Sequence, residues 1–148
     1  MPVSIRKFTV SDYPAVRALW LRTPGMGLND KDDAEAGISR FLARNPETCY
    51  VAEQDGVIIG VIMAGHDGRR GFIYHTAVDA SHRRKGVGKT LADAALTALK
   101  REGINKAAMV VFGKNDIGNA FWERLGFTAR TDIVYRNKAL VEMERIDT

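Results

Sequence analysis

Residues 72–90, FIYHTAVDASHRRKGVGKT, constrain the fold more than any other part of the chain. An apolar, aromatic run gives way to a basic, glycine-bearing turn. The turn opens into an alanine-rich segment with Val87, Leu91, Ala95 and Ala98 at helical spacing. Strand, turn and helix are therefore predicted in that order, the strand over 72–78 and the helix over 86–101, with Gly103 as its stop. Residues 106–112 then form a continuous apolar run, the pattern of a strand covered on both faces. Such a unit needs a mixed sheet with helices packed on it.

The remaining segments fit around this unit. Residues 3–8 alternate as a first strand. Ser11 is placed as the N-cap of a helix with Asp12 and Pro14 in its first turn and Tyr13, Val16, Leu19 and Trp20 on one face. Pro24, Gly25 and Gly27 break that helix. A second helix is predicted over 30–45, carrying Ile38, Phe41 and Leu42 and ending at Asn45-Pro46. Strands over 49–54 and 57–64 meet at Asp55-Gly56, a strong hairpin signal. A last helix over 115–125 has Gly126 as its left-handed cap and Phe127 as the apolar follower. The tail is read as a strand pair, 128–135 and 139–146, turned at Arg136-Asn137-Lys138. The order β-α-α-β-β-β-α-β-α-β-β describes one α/β domain with a mixed (α+β) sheet over residues 1–148.

The chain has 148 residues, 45% hydrophobic and 27% charged, ordinary values for a globular domain. Its longest apolar and glycine run, residues 57–65, is far short of the ~20 that span a membrane. The start lacks an apolar segment with a small-residue cleavage site, so a cytoplasmic location is expected. The single cysteine, Cys49, has no internal partner and reads as a buried small hydrophobe. Net charge is +4, but residues 69–89 hold Arg69, Arg70, Arg83, Arg84, Lys85 and Lys89 against Asp79 alone. Positive charge concentrated beside glycines suits an anionic partner. Nucleic acid is not expected, because the aromatic platform of such modules is missing. An opposite cluster, Asp30, Asp32, Asp33 and Glu35, reads either as a helix start complementing the dipole or as an attractor for a cationic substrate.

In the 72–90 segment, successive backbone N–H groups and the positive end of the helix form a site for a pyrophosphate, where a Cβ would hold the phosphate away. Gly88-Lys89-Thr90 ends like a nucleotide-binding P-loop, but that motif needs a glycine where this chain has Arg83. A magnesium-binding acid is also missing, since 106–112 runs into Gly113-Lys114.

The other reading fits at more points. Arg83-Arg84-Lys85-Gly86-Val87-Gly88 resembles the Arg/Gln-x-x-Gly-x-Gly/Ala signature of the GNAT superfamily of acyl-CoA N-acetyltransferases, with Ala77-Val78 ending the strand before it. Asn115 with Phe121-Trp122-Glu123-Arg124-Leu125-Gly126-Phe127 resembles that family's Asn-x-x-Ala-x-x-x-Tyr-x-x-x-Gly-Phe segment. The element order matches over essentially the whole chain. The resemblance is to small single-domain members near the ribosomal-protein alanine acetyltransferases.

The resemblance implies a splayed central sheet with acetyl-CoA as co-substrate between its fourth and fifth strands, and no metal. Ala77 and Val78 are implied to bind the pantetheine arm. Arg83, Arg84, Lys85, Gly86, Val87 and Gly88 would cradle the pyrophosphate, backed by Lys89 and Thr90. Asn115 is implied to reach the pantetheine or the adjacent wall while also capping its helix. His75 stands three residues before Val78, where histone-acetylating members carry a glutamate base, and an imidazole suits proton removal near pH 7. Trp122 occupies the position of the family's tyrosine acid; indole can pack on the thioester or fill core, but it is not an acid. The acceptor is a small-molecule amine or a protein N-terminus, and a homodimer is compatible with the resemblance. A non-catalytic acetyl-CoA-binding or sensing domain is the alternative.

Overall fold

The computed structural model describes residues 2–147. β1 (Ser4–Lys7) leads through a 3-10 turn at Val10–Asp12 into α1 (Tyr13–Leu21), and a loop connects to α2 (Glu35–Arg44). The strands β2 (Tyr50–Gln54), β3 (Val57–His66) and β4 (Gly71–Val78) follow. A 3-10 turn at Ala80–His82 precedes α3 (Val87–Arg101), then β5 (Ala107–Ala108) and α4 (Asp116–Arg124). One mixed sheet forms in the order β1-β2-β3-β4-β5, antiparallel except for the parallel β4–β5 pair.

β3 explains the two-sided core. Val61 and Met63 bury against α1 and α2 with Val16, Leu19, Trp20 and Ile38, whereas Ile59 and Ile62 bury against α3 and α4 with Leu91, Ala95 and Trp122. A strand between two helical layers has no polar face, which is why its sequence does not alternate. The β2–β3 hairpin turns where the sequence places it: Asp55 (φ 52°) and Gly56 (φ 76°) both take the left-handed conformation of a tight two-residue turn.

Two irregularities in β4 shape the site. Val61 pairs with Ala77 and Met63 with Tyr74, so Ile62 alone opposes His75 and Thr76. This bulge breaks strict alternation. Tyr74 and His75 are neighbours in the chain, yet both reach the α1/α2 layer: Tyr74 meets Phe41 and His75 meets Trp20, each edge-to-face. The second irregularity is that β4 pairs with β5 only at Gly71–Ala107 and Phe72–Ala108. Among the described residues, β4 has no ladder partner on that side from Ile73 onward, so the sheet is splayed.

Several boundaries differ from the sequence reading. The first helix is not capped by Ser11. Instead Thr9 and Asp12 bond reciprocally, Asp12 N–H to the Thr9 carbonyl and Thr9 N–H to the Asp12 carboxylate (both 2.9 Å), and Arg6 grips Asp12 through two nitrogens. The second helix begins at Glu35 rather than residue 30, because the Asn29 side chain accepts from Lys31 and Asp32 N–H and closes a turn first. The fifth strand is two residues long, not 106–112. The tail pair 128–135 and 139–146 does not form: a two-residue β5 offers no edge to extend, and Val134, Tyr135, Leu140 and Val141 lie exposed. The end of the tail bonds elsewhere. Arg145 bridges Asn29, Ile146 N–H reaches the Leu28 carbonyl (3.1 Å), and the Asp147 carboxylate accepts from Gly27 and Leu28 N–H (3.1 and 2.7 Å).

Candidate active site

The gap beside β4 has one wall on β4 and the other on residues 109–115. The α1–α2 loop crosses it. A Cβ on Gly25 would lie 3.5 Å from Asn115 Nδ2, and one on Gly27 would lie 3.4 Å from the Phe112 ring. Arg145 stacks over the same ring at 5.1 Å.

At the C-terminal end of β4, Ala77 is buried and Val78 half-buried, and the Val78 carbonyl accepts from Arg83 Nε at 3.3 Å. The turn that follows is tied to its base by Asp79. Its carboxylate accepts from the Ser81 hydroxyl and from Arg22 Nε (3.2 Å), and contacts His82 Nδ1 (3.0 Å). The Ser81 and His82 bonds, then Arg22, hold the Asp79 carboxyl well below the usual carboxylate range. His82 Nε2 continues the chain to Gln54 Oε1 at 2.9 Å.

Beyond this anchor the turn coils tightly. Arg84 has φ 63°, a conformation that disfavours a side chain, and Gly86 has φ 81° at the start of α3. Among the described residues, no side chain caps α3. The N–H groups of its first turn, at Val87, Gly88 and Lys89, therefore have no partner within the helix. Thr90 closes the first helical bond to the Gly86 carbonyl (3.0 Å), where its hydroxyl also donates (2.9 Å). Lys89 turns to Asp93 at 2.8 Å. Among the described residues, Arg84 and Lys85 enter no ion pair. Free amides, two free cations and the positive end of a long helix suit a pyrophosphate. Gly88 serves packing: a Cβ there would press on the Phe121 ring at 3.1 Å.

The side of β4 that faces the α1–α2 loop is organised differently. His75 Nε2 lies 2.7 Å from Asp33 Oδ1, with the His75 side chain 16% exposed and that of Asp33 5%. Asp33, read from sequence as a helix-start acid or an attractor for a cationic substrate, is instead a buried partner. Its other oxygen accepts from Asn29 N–H (2.9 Å), and its carbonyl accepts from the Tyr13 hydroxyl (2.7 Å). Sequence reasoning missed this pair. Asp33 stands amid Asp30, Asp32 and Glu35, where nothing local separates a buried acid from a helix-start acid.

Asn115 Oδ1 accepts from Gly118 N–H at 2.9 Å, so it caps α4 and turns its Nδ2 toward Gly25. Trp122 packs edge-to-face against Phe121 and Phe127 in the α3/α4 core. Cys49 is buried, donates to the Ala64 carbonyl, and has its thiol pushed up to about 12 by burial, which removes it as a nucleophile. Among the described residues, no cluster of three or more His, Cys, Asp or Glu is arranged to hold a metal ion. No helix of the described residues is long and apolar enough to cross a membrane.

Known proteins share this sequence pattern and fold. An acetyltransferase from Sodalis glossinidius is 31% identical over 140 residues, spanning 95% of this chain and 97% of that protein. Among solved structures, Ard1 from Thermoplasma volcanium superposes with a TM-score of 0.77 at 25% identity, covering 86% of this chain and 84% of that one. A ribosomal-protein-alanine N-acetyltransferase from Brucella melitensis biovar Abortus 2308 shares the fold, with a TM-score of 0.69 at 21% identity over 93% of this chain and 99% of that one. The family profile described as Acetyltransferase (GNAT) family matches residues 13–127. The chain belongs to the GNAT family and is an acetyl-CoA-dependent N-acetyltransferase.

Proposed function

We propose that the protein acetylates the primary amine of a small molecule or a protein N-terminus, by direct attack on acetyl-CoA in a ternary complex. One observation carries this reading. The gap beside β4 opens at the strand end where the free amides of α3 and the cations Arg84 and Lys85 gather, and His75 lies on the same strand.

In this reading residues 83–88 hold the pyrophosphate, with Lys89 and Thr90 shaping the helix behind them. The backbone of Ala77 and Val78 receives the pantetheine arm, and Asn115 presents Nδ2 to it. An alkyl-ammonium acceptor with a pKa near about 10.4 must lose a proton before it can attack. His75 takes that proton. The amine lone pair then forms a bond to the thioester carbonyl carbon, and the tetrahedral intermediate collapses by breaking the C–S bond. The acetylated nitrogen gives up its second proton to solvent. Trp122 offers packing but no acid, so the CoA thiolate, with a thiol pKa of about 8.5, leaves unprotonated or takes its proton from water.

Gly86→Asp tests the cofactor half. A side chain at φ 81° strains the turn, and a carboxylate repels phosphate. Loss of acetyl-CoA binding by calorimetry, in a variant that keeps its far-ultraviolet spectrum, is expected; unchanged affinity would remove the assignment. Gly88→Asp is a less clean probe because it also disturbs the Phe121 contact. For the chemical half, CoA thiol release is followed across small amines, peptides and aminoglycosides. Turnover with at least one small primary amine or peptide N-terminus is expected, and turnover confined to other acceptors would overturn the acceptor reading. His75→Ala should lower kcat by roughly 10²–10⁴-fold, the span of a general base, with CoA affinity nearly unchanged.

A further inference from the structure

The His75–Asp33 pair joins residues 42 positions apart, and both members are largely withdrawn from solvent. An ionised carboxylate can only accept hydrogen bonds. Asp33 Oδ2 is occupied by Asn29 N–H, and Oδ1 faces His75 Nε2 at 2.7 Å. The ring nitrogen facing Oδ1 must then carry the hydrogen, and in a neutral imidazole the lone pair falls on the other nitrogen. Trp20 stands edge-on to the ring with centroids 5.1 Å apart, which restricts its rotation. Among the described residues, no hydrogen bond engages His75 Nδ1.

We infer that Asp33 is a positioning residue for His75: its buried carboxylate fixes the imidazole as the Nε2–H tautomer and leaves Nδ1 as the nitrogen that receives the proton of the acceptor amine. The inference rests on the reading of His75 as the base. In the reaction, one proton moves from the ammonium nitrogen to Nδ1, and the resulting imidazolium stays bonded to Asp33 through Nε2–H until Nδ1 releases its proton to solvent. No other group changes its bonding in that step.

Asp33→Asn gives a sharp test because of Asn29. The backbone N–H at residue 29 still demands an acceptor, so the amide oxygen of the variant takes that place and its NH2 is turned toward His75. An NH2 there donates to Nε2, which forces the hydrogen onto Nδ1 and removes the lone pair from the reactive position. The variant is nearly isosteric, so a purely structural role for Asp33 predicts a loss of stability with kcat unchanged.

The experiment combines 15N spectra of the histidine rings with steady-state kinetics on the full chain. In the wild type the His75 ring is expected to show a protonated Nε2 and an unprotonated Nδ1. In Asp33→Asn the two are expected to exchange, with kcat falling roughly 10²-fold, the lower end of what a general base supplies. The KM for acetyl-CoA should stay within about twofold, because the loss falls on the chemical step. A wild-type ring protonated on Nδ1 overturns the inference and leaves the base assignment standing; this measurement decides even if the variant does not fold. Exchanged nitrogens with an unchanged rate, matched by a silent His75→Ala, overturn the base assignment and the inference with it.

Discussion

The two sides of the opening beside β4 treat charge in opposite ways. At the α3 end, Arg84 and Lys85 have no ionic partner among the described residues, and the first amides of the helix are uncapped. On the side of the α1–α2 loop, three of the four clustered acids are already engaged. Asp33 holds His75, Asp32 takes the Asn29 amide (3.1 Å), and Asp30 takes Glu144 N–H (2.7 Å) and pairs with Lys31. Both stretches stand out by their charge in the sequence. The first keeps its charge for a ligand, and the second, Glu35 aside, uses its charge to build a loop.

The largest expected effect tests the free side. Replacing both Arg84 and Lys85 with Gln should raise the Kd for acetyl-CoA by roughly 10²-fold or more, since each charged hydrogen bond is worth about 1.5–3 kcal/mol. The loss should shrink as salt rises, because exposed charges are screened over about 10 Å at 0.1 M. An affinity unchanged at low salt would mean that the backbone amides alone hold the pyrophosphate.

Asp79 comes next, as the engaged acid on the free side. Its folded-state pKa is lowered, first by Ser81 and then by His82 and Arg22. A lowered carboxylate pKa contributes stability that is present above the unfolded value of about 3.9 and is lost as pH falls toward the folded value. Asp79→Asn should therefore lower Tm by about 2–5 °C near neutrality. The gap to the wild type should narrow steadily below about pH 4. A gap that is constant with pH would assign the effect to shape rather than charge.

A smaller effect is expected from the engaged side. The double variant Asp30→Asn, Asp32→Asn should change the acceptor KM by less than about threefold at any ionic strength, with most of its effect on Tm, since exposed pairs contribute only about 0–1 kcal/mol. A KM that rises several-fold at low salt only would restore the attractor reading. The least effect is expected at Cys49. With its thiol pushed up to about 12, it should ignore a thiol reagent at pH 8 in the folded protein and react fully in denaturant.

Much of the fold was legible because its signals are local. Asp55-Gly56 predicts its turn from two residues, and the strand–turn–helix unit of residues 72–90 is set by apolar period and glycine placement. What stayed hidden depends on partners far along the chain. The bulge exists only in the pairing of β4 with β3. Asp33 becomes a buried acid only when β4 brings His75 to it. The tail alternates like a strand pair, but alternation shows only that a strand could form, and the two residues of β5 provide no edge for it. Within the site, the glycine turn was legible from its own residues, and the orientation of the proposed base was not.

The bulge in β4 makes the site sensitive to a kind of change that point substitution does not explore. Three ladder positions matter: Met63 with Tyr74, Ile62 opposite His75 and Thr76, and Val61 with Ala77. An in-frame deletion of the Thr76 codon would leave one residue opposite Ile62 and restore even alternation along the strand. Both flanking pairs could stay as they are. His75 would then share the face of Ile62, which packs on α3 and α4, and its ring would leave Trp20 and Asp33 on the far side of the sheet. Three nucleotides would thus separate a strand that aims its histidine at the α1–α2 loop from one that buries it in the wrong layer. Insertions and deletions in this strand should therefore be purged even when the sheet survives them.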